Sequence, residues 1–170
     1  GMILKILENK KGKTSKKEHQ YRVLPIQGTK GDIPIQFSPE GAVPGDQIVG
    51  IMQPGVGVII YPIQSSALTA YDDQPERWID VRWDIDSEMS ERFPTRINIL
   101  AVNSPGSLAE ITQIIFVNDA NIENLSFVRK ATDFIEIIID LEIWNLKHLN
   151  RIFSQLKRAR SVNMVHRVYG

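Results

Sequence analysis

With 170 residues, 42% of them hydrophobic and 24% charged, the chain has room for one substantial domain or two small ones of an ordinary globular kind. The formal net charge is zero and cysteine is absent, which removes disulfides, thiolate nucleophiles and cysteine-type zinc sites and leaves no overall bias toward nucleic acid. No apolar run has bilayer length and no signal peptide is recognisable, so no membrane partner is expected and the cytoplasm is the expected location.

Charge is unevenly placed. Residues 1–30 hold eight Lys/Arg against two acids, residues 72–91 hold eight acids against two Arg, and residues 147–170 hold six Lys/Arg and no acid. Gly1 ahead of Met2 suggests the remnant of a cleaved tag, and hence a piece of a longer protein.

Residues 1–20 begin with Ile3, Leu4, Ile6 and Leu7 and pass into a lysine-rich stretch without apolar periodicity, which reads as a basic linker. From residue 21 to 86 the texture changes to short β-prone runs separated by Pro/Gly turns, the pattern of a small antiparallel β-rich domain. Its best hairpin joins residues 47–52 to 56–61 across Gln53-Pro54-Gly55, and a short helix is expected near residues 66–71. Residues 78–83 alternate Trp78, Asp80 and Arg82 with Ile79, Val81 and Trp83, the second set suiting a buried face. Asp84 and Asp86 share one strand face, but no histidine, calcium loop or nucleophile accompanies them, so they read as a solvated strand end. Polar residues 87–95 read as a linker between domains.

Residues 96–170 carry the clearest signals. A strand over 97–102 stops at Asn103-Ser104-Pro105-Gly106, and a helix is expected from Pro105 to about Asn118, with Ser104 as its N-cap and Leu108, Ile111 and Ile115 on its apolar stripe. Strands follow at 122–128 and 134–143. The longer one places Ile135, Ile137, Ile139, Leu141 and Ile143 on one face and Glu136, Asp140 and Glu142 on the other. Asn145 then caps a second helix with Leu146, Leu149, Ile152, Phe153 and Leu156 in one stripe, and residues 162–168 form a last strand. Strand, helix, strand, strand, helix, strand is the ferredoxin-like βαββαβ arrangement, so the fold class is α+β: a ferredoxin-like C-terminal domain preceded by a small antiparallel β-rich one.

That plan hosts many activities, so the site must decide. An RNA-recognition module needs exposed aromatics on its central strands, and residues 97–102 contain none. An acylphosphatase-like enzyme needs an arginine cradle after the first strand, and residues 103–108 contain no basic residue. What the turn does offer is a helix start whose small Gly106 and Ser107 leave backbone N–H groups open, a setting for a carboxylate or phosphate. His19, His148 and His166 are scattered, His148 reading as a solvated helix position and His166 as a strand residue, and no catalysis or cofactor is expected.

NSPGSLAEI followed by NDANIENLSF resembles the ACT domain, with Asn103, Pro105, Gly106, Leu108, Asn121 and Ile122 at the positions of that family's signature. Upstream, PGDQIVGIMQPGVGVIIYPIQSSAL followed by PERWIDVRWD resembles the domain preceding the ACT domain in long RelA/SpoT-type (p)ppGpp synthetase/hydrolases, with an alphaproteobacterial flavour. Pro44-Gly45-Asp46, Ile48, Gly50, Gly55, Gly57 and the strand Trp78–Trp83 carry that match. Many members place cysteines where Pro39, Glu40 and Ser65 stand and a histidine at Tyr61; with all four absent, no zinc or redox role transfers.

The resemblance implies a regulatory, non-catalytic region of a GTP pyrophosphokinase and (p)ppGpp hydrolase that acts in the stringent response on an absent catalytic half. It also implies an amino-acid ligand at Asn103, Ser104, Pro105, Gly106, Ser107, Leu108, Asn121 and Ile122, with Val, Ile or Leu expected, and a homodimer through the ACT domain. Ile114 and Phe116, off the main stripe, are candidates for that pairing. The alternative is docking to a protein or to ribosomal RNA without a small ligand, with Lys157, Arg158 and Arg160 supplying phosphate contacts.

Overall fold

Pro54 and Gly55 reverse the chain as expected: strand β4 (Ile48–Gln53) runs antiparallel to β5 (Gly57–Pro62), with Gly55 at φ 78°. The computed structural model describes residues 3–8, 20–25, 33–84 and 91–169, and divides into two compact units, residues 1–89 and 90–169. Gly57 has φ 121°, and a Cβ there would lie 2.2 Å from the Pro34 carbonyl oxygen, so no other residue fits.

The first unit is a six-stranded sheet. Strands β1 (Ile3–Glu8), β2 (Gln20–Pro25), β3 (Ile35–Phe37) and β6 (Trp78–Asp84) join the hairpin in the order β2-β1-β6-β4-β5-β3. Every pairing is antiparallel except the short parallel pair of β3 with β5, which the antiparallel expectation did not include. Strand β4 reverses the chain between them, so β3 and β5 run the same way.

A larger correction concerns residues 3–8. They lie within the stretch assigned to a linker, yet they form a strand between β2 and β6. Two adjacent apolar pairs, Ile3-Leu4 and Ile6-Leu7, match neither the period of 2 nor that of 3.6, which hid the strand.

The predicted inward set of β6 is confirmed: Val81 is buried with Val58, Ile60 and Ala42, Ile79 and Trp83 pack against them, and Trp83 stacks on Phe37. The other sheet face buries Val49, Ile51 and Tyr61 beneath a 3₁₀ turn, Ser66–Tyr71, at the place where a short helix was expected. Asp84 ends β6, whereas Asp86 lies outside the described residues.

The second unit is ferredoxin-like. Strand β7 (Phe93–Val102), helix α1 (Ser107–Val117), strands β8 (Asn121–Lys130) and β9 (Phe134–Ile143), helix α2 (Leu146–Arg158) and strand β10 (Val162–Arg167) form an antiparallel sheet ordered β10-β7-β9-β8. The five odd-numbered apolar residues of β9 are buried as predicted, against Ile97, Ile99 and Ala101 of β7, Ile111 and Ile115 of α1, and Leu149, Ile152 and Leu156 of α2. Leu146 and Phe153 stand half-buried at the flank of that stripe.

Strand β7 starts at Phe93, ahead of the predicted 97 and inside the expected linker. Within that stretch Pro94 is the residue least suited to a strand, because it has no N–H to donate. Arg96 offers its carbonyl to Val168 N–H, so Pro94, two residues earlier, points the same way, beyond the last β10 pairing at Ile97; no N–H is needed there.

Helix α1 also differs in its start. It begins at Ser107 with Gly106 in the cap position and no side-chain cap, instead of at Pro105 under a Ser104 cap. Ser104 accepts the Ser107 N–H through its backbone carbonyl at 3.1 Å, closing a turn ahead of the helix. Asn145 caps α2 as expected, its side chain accepting from His148 N–H.

Candidate functional site

The β7–α1 turn has a tied part and an open part. Asn103 N–H donates to the Asp133 carbonyl at 3.1 Å, its side-chain amide donates to Ala131 O at 2.6 Å, and Ser104 N–H donates to Val102 O. The two Asn103 bonds fasten the turn to the β8–β9 connection, and the Ser104 bond closes the turn on itself. Ser104, Pro105 and Gly106 are exposed, and a Cβ added at Gly106 would meet nothing within 4 Å.

Among the described residues no acceptor takes the N–H of Gly106 or Leu108. Ser107, only 1% exposed, buries an Oγ with no hydrogen-bond partner at the same place. An eleven-residue helix with its first turn in this state presents donors and positive partial charge to an anion.

The eight candidate residues do not meet within one chain. Asn103, Ser104, Pro105, Gly106, Ser107 and Leu108 cluster at the end of β7. Asn121 and Ile122 open β8, where Asn121 is level with Glu142 and, through it, Pro94. Eight strand residues separate the two levels along β7, about 26 Å at a rise of ~3.3 Å each. Asn121 donates through Nδ2 to Glu142 Oε1 at 2.7 Å and Glu123 Oε1 at 2.9 Å. The Asn121 amide holds the Glu142 carboxyl below the usual carboxylate range, while a hydrogen bond with Glu142 pushes that of Glu123 above it.

Strand β8 is an edge of the sheet, and the apolar surface beside it is uncovered. Phe127 is 48% and Val128 56% exposed, and Phe116 of α1 is 74% exposed. Ile114 is half-buried. Glu110 and Asn118 reach from α1 to Ser161 and Gln155, which places Phe116 on the opposite flank of the helix, toward β8.

Sequence reasoning missed a second cluster at the far end of α1. The Arg92 guanidinium donates to Asp119 O at 2.7 Å and to Asp119 Oδ1 at 3.0 Å, and lies 4.4 Å from the centroid of the Trp144 ring. Trp144 Nε1–H donates to Asp119 Oδ2 at 3.1 Å. The indole bond first, then Arg92, holds the Asp119 carboxyl below the usual range.

His148, expected to be solvated, is 3% exposed. Its Nδ1 accepts Trp144 N–H at 3.0 Å, so its Nε2 carries the proton and donates to Asn118 O. The Asn145 cap turns this first-turn residue inward. His166 is an exposed residue of β10, as expected. A signal for the cluster existed in Asp119, a non-glycine residue that must adopt φ 60° between a helix and a strand.

In the first unit, Glu40, Tyr61 and Ser65 come together. Ser65 Oγ–H donates to Glu40 Oε1 at 2.8 Å, and burial, then the neighbouring Tyr71 and Glu40, push the Tyr61 hydroxyl up. Among the described residues no group of three or more His, Cys, Asp or Glu is placed to hold a metal ion, and no helix is long and apolar enough to cross a membrane.

In chain order, then, a β-rich unit is followed by a ferredoxin-like unit with an exposed strand edge and an open helix start. Residues 24–84 match the family model described as the RelA/SpoT RIS domain, and residues 89–167 match that of the ACT domain. The chain belongs to the C-terminal regions of the RelA/SpoT family. It is 64% identical over 177 aligned residues to GTP pyrophosphokinase rsh of Brucella ovis, covering all of this chain and 24% of that protein. It is 28% identical over 144 residues to the bifunctional (p)ppGpp synthase/hydrolase SpoT of Escherichia coli K12, covering 85% of this chain and 20% of that one. The chain thus spans about a quarter of the length of the curated relatives it matches. The alphaproteobacterial resemblance is borne out by the Brucella relatives. Among solved structures, the ACT domain from the GTP pyrophosphokinase of Chlorobium tepidum aligns at 21% identity and TM-score 0.41, covering 45% of this chain and 99% of that one.

Proposed function

We propose that the chain is the non-catalytic sensing arm of a GTP pyrophosphokinase and (p)ppGpp hydrolase, and that two copies of its ACT domain bind a branched-chain amino acid between them. In this reading, binding biases an absent catalytic half between alarmone synthesis and hydrolysis. One observation carries the reading: the first turn of α1 has open N–H groups, an unobstructed Gly106 and the unpartnered buried Ser107 hydroxyl.

The ligand carboxylate meets the N–H groups of Gly106 and Leu108. A two-fold antiparallel pairing of β8 edges sets the 121 end of one strand beside the 130 end of the other, and Lys130 is level with Ile135 and Ala101, next to the open turn. Asn121 and Ile122 of the partner subunit then reach the ligand. The amide helps hold the ammonium, Ile122 favours a branched side chain, and the pairing covers Phe116, Phe127 and Val128.

Calorimetry with valine, isoleucine and leucine tests this, and absence of heat at protein concentrations that detect millimolar binding removes the sensing claim. Gly106→Asp sharpens it. A carboxylate at a helix cap is compatible with the helix and suits its dipole, so folding survives while valine affinity falls at least about tenfold by charge repulsion. A concentration-independent monomer mass removes the paired form.

A second reading has its own observation. Lys147, Arg151, Lys157, Arg158 and Arg160 are exposed on or just after α2, and among the described residues none of them forms an ion pair. Such a stripe suits the phosphates of ribosomal RNA. Arg167, buried at 8% exposure, is not part of it. Reversing the charge of Lys157, Arg158 and Arg160 without changing ribosome binding by the full-length protein would remove this contact.

A further inference from the structure

Helix α1 joins two ends of unlike character. Its start is the open turn. Its last turn runs into Asn118 and Asp119, which are gripped from three directions. Arg92, the residue immediately before β7, holds the Asp119 carbonyl and carboxylate. Trp144, at the β9–α2 turn, holds the other carboxylate oxygen and lies beneath the guanidinium. His148, buried in the first turn of α2, holds Asn118 O, and Asn118 itself bonds Gln155 of α2 at 2.9 Å.

Arg92 also reaches Glu142 O at 3.4 Å, and the side chain of that residue carries Asn121. The guanidinium, carried by the segment that leads into β7, therefore meets both the α1–β8 turn and the β9–α2 turn. An exposed Arg–Asp pair contributes little stability, so a fork this fully used has its consequence in geometry.

We propose that Arg92 is a coupling residue, tying the position of α1, and with it the turn at 106–108, to the segment through which the preceding chain enters the ACT domain. The proposal rests on the reading of that turn as the ligand seat only for the direction of signalling. A helix of eleven residues is about 16 Å long and packed along its length by Ile111 and Ile115, so it moves as one body. Whatever shifts its start presses its end against Arg92, and whatever pulls on Arg92 shifts its start by the same coupling energy.

The test uses the 170-residue chain and its Arg92→Ala and Arg92→Lys variants, with valine as the probe. In the parent chain, saturating valine slows hydrogen exchange of the 91–93 amides at least about fivefold. In Arg92→Ala, valine affinity stays within about twofold by calorimetry while that slowing is lost. Arg92→Lys, which keeps the charge but not the fork, behaves like alanine.

Protection that persists at 91–93 in Arg92→Ala overturns the proposal. If valine binds neither chain, the sensing reading fails and a ligand-free comparison still decides the coupling. Amide resonances of 106–108 must shift in Arg92→Ala while the protection of β9 stays intact; shifts confined to the 91–93, 118–121 and 142–148 region overturn it.

Discussion

Both ends of α1 run into polar turns, yet they behave in opposite ways. At its start, small residues on an exposed turn leave N–H groups without acceptors, and a buried hydroxyl without a partner. At its end, Asn118 and Asp119 are bonded by Arg92, Trp144, His148 and Gln155. A buried polar group without a partner is costly, so the Ser107 hydroxyl, which has none among the described residues, marks the start of the helix. The satisfied end fixes where the helix lies, and the unsatisfied end is where something else can bind.

The largest perturbation breaks both ends together. Ile115, fully buried between them, holds α1 to the sheet; Ile115→Ala should cost ~2–5 kcal/mol in urea unfolding and loosen both ends in hydrogen exchange. A smaller loss is expected from His148→Ala, which strands the Trp144 N–H and the Asn118 carbonyl and should cost roughly 1–3 kcal/mol. Its exchange signature should concentrate at 118–121 and 144–148, leaving 106–108 with the weaker, transmitted change. Equal acceleration along all of α1 would mean that the two ends are not separately held.

The smallest effect concerns the wet face of the sheet, as a reference for an ion pair that grips no turn. Arg96 forks onto Asp140 at 2.7 and 3.1 Å, which holds the Asp140 carboxyl below and the Arg96 guanidinium above their ordinary ranges. With the folded pKa of Asp140 depressed, its stabilisation is complete above the ordinary carboxylate pKa and disappears as pH falls through the folded value. Asp140→Asn should therefore cost ~0.2–1 kcal/mol at neutral pH, and the difference from the parent chain should shrink below about pH 4. Asp119 is depressed in the same direction, so acid should also release the α1–β8 turn, seen as faster exchange at 118–121.

Much of this architecture was legible beforehand because one-sided burial writes itself into alternation. Five apolar residues at odd positions of β9, and Leu149, Ile152 and Leu156 at helical spacing, had only one reading. Strand β1 escaped because its apolar residues come in adjacent pairs, and the first part of β7 because Pro94 argues against a strand unless its missing N–H faces an unpaired edge. Ser104 looked like the cap because serine caps helices well, yet the chain closes a separate turn there and hands the cap position to Gly106. His148 reads as a solvated helix residue along the chain because the group that buries it, the Asn118 carbonyl, lies thirty residues away, and its local bond from Trp144 N–H does not by itself require burial.

The sequence by itself determined the family, the order of the two domains and the six-element plan of the second, because those follow from periodicity, turn residues and motif spacing along the chain. Only the tertiary structure decided that Asn121 stands at the far end of the sheet from Gly106, and that Arg92, Asp119, Trp144 and His148 form one cluster. Neither could be read along the chain: strand register and the meeting of three turns depend on how distant segments pack, and spacing in sequence carries no record of that distance.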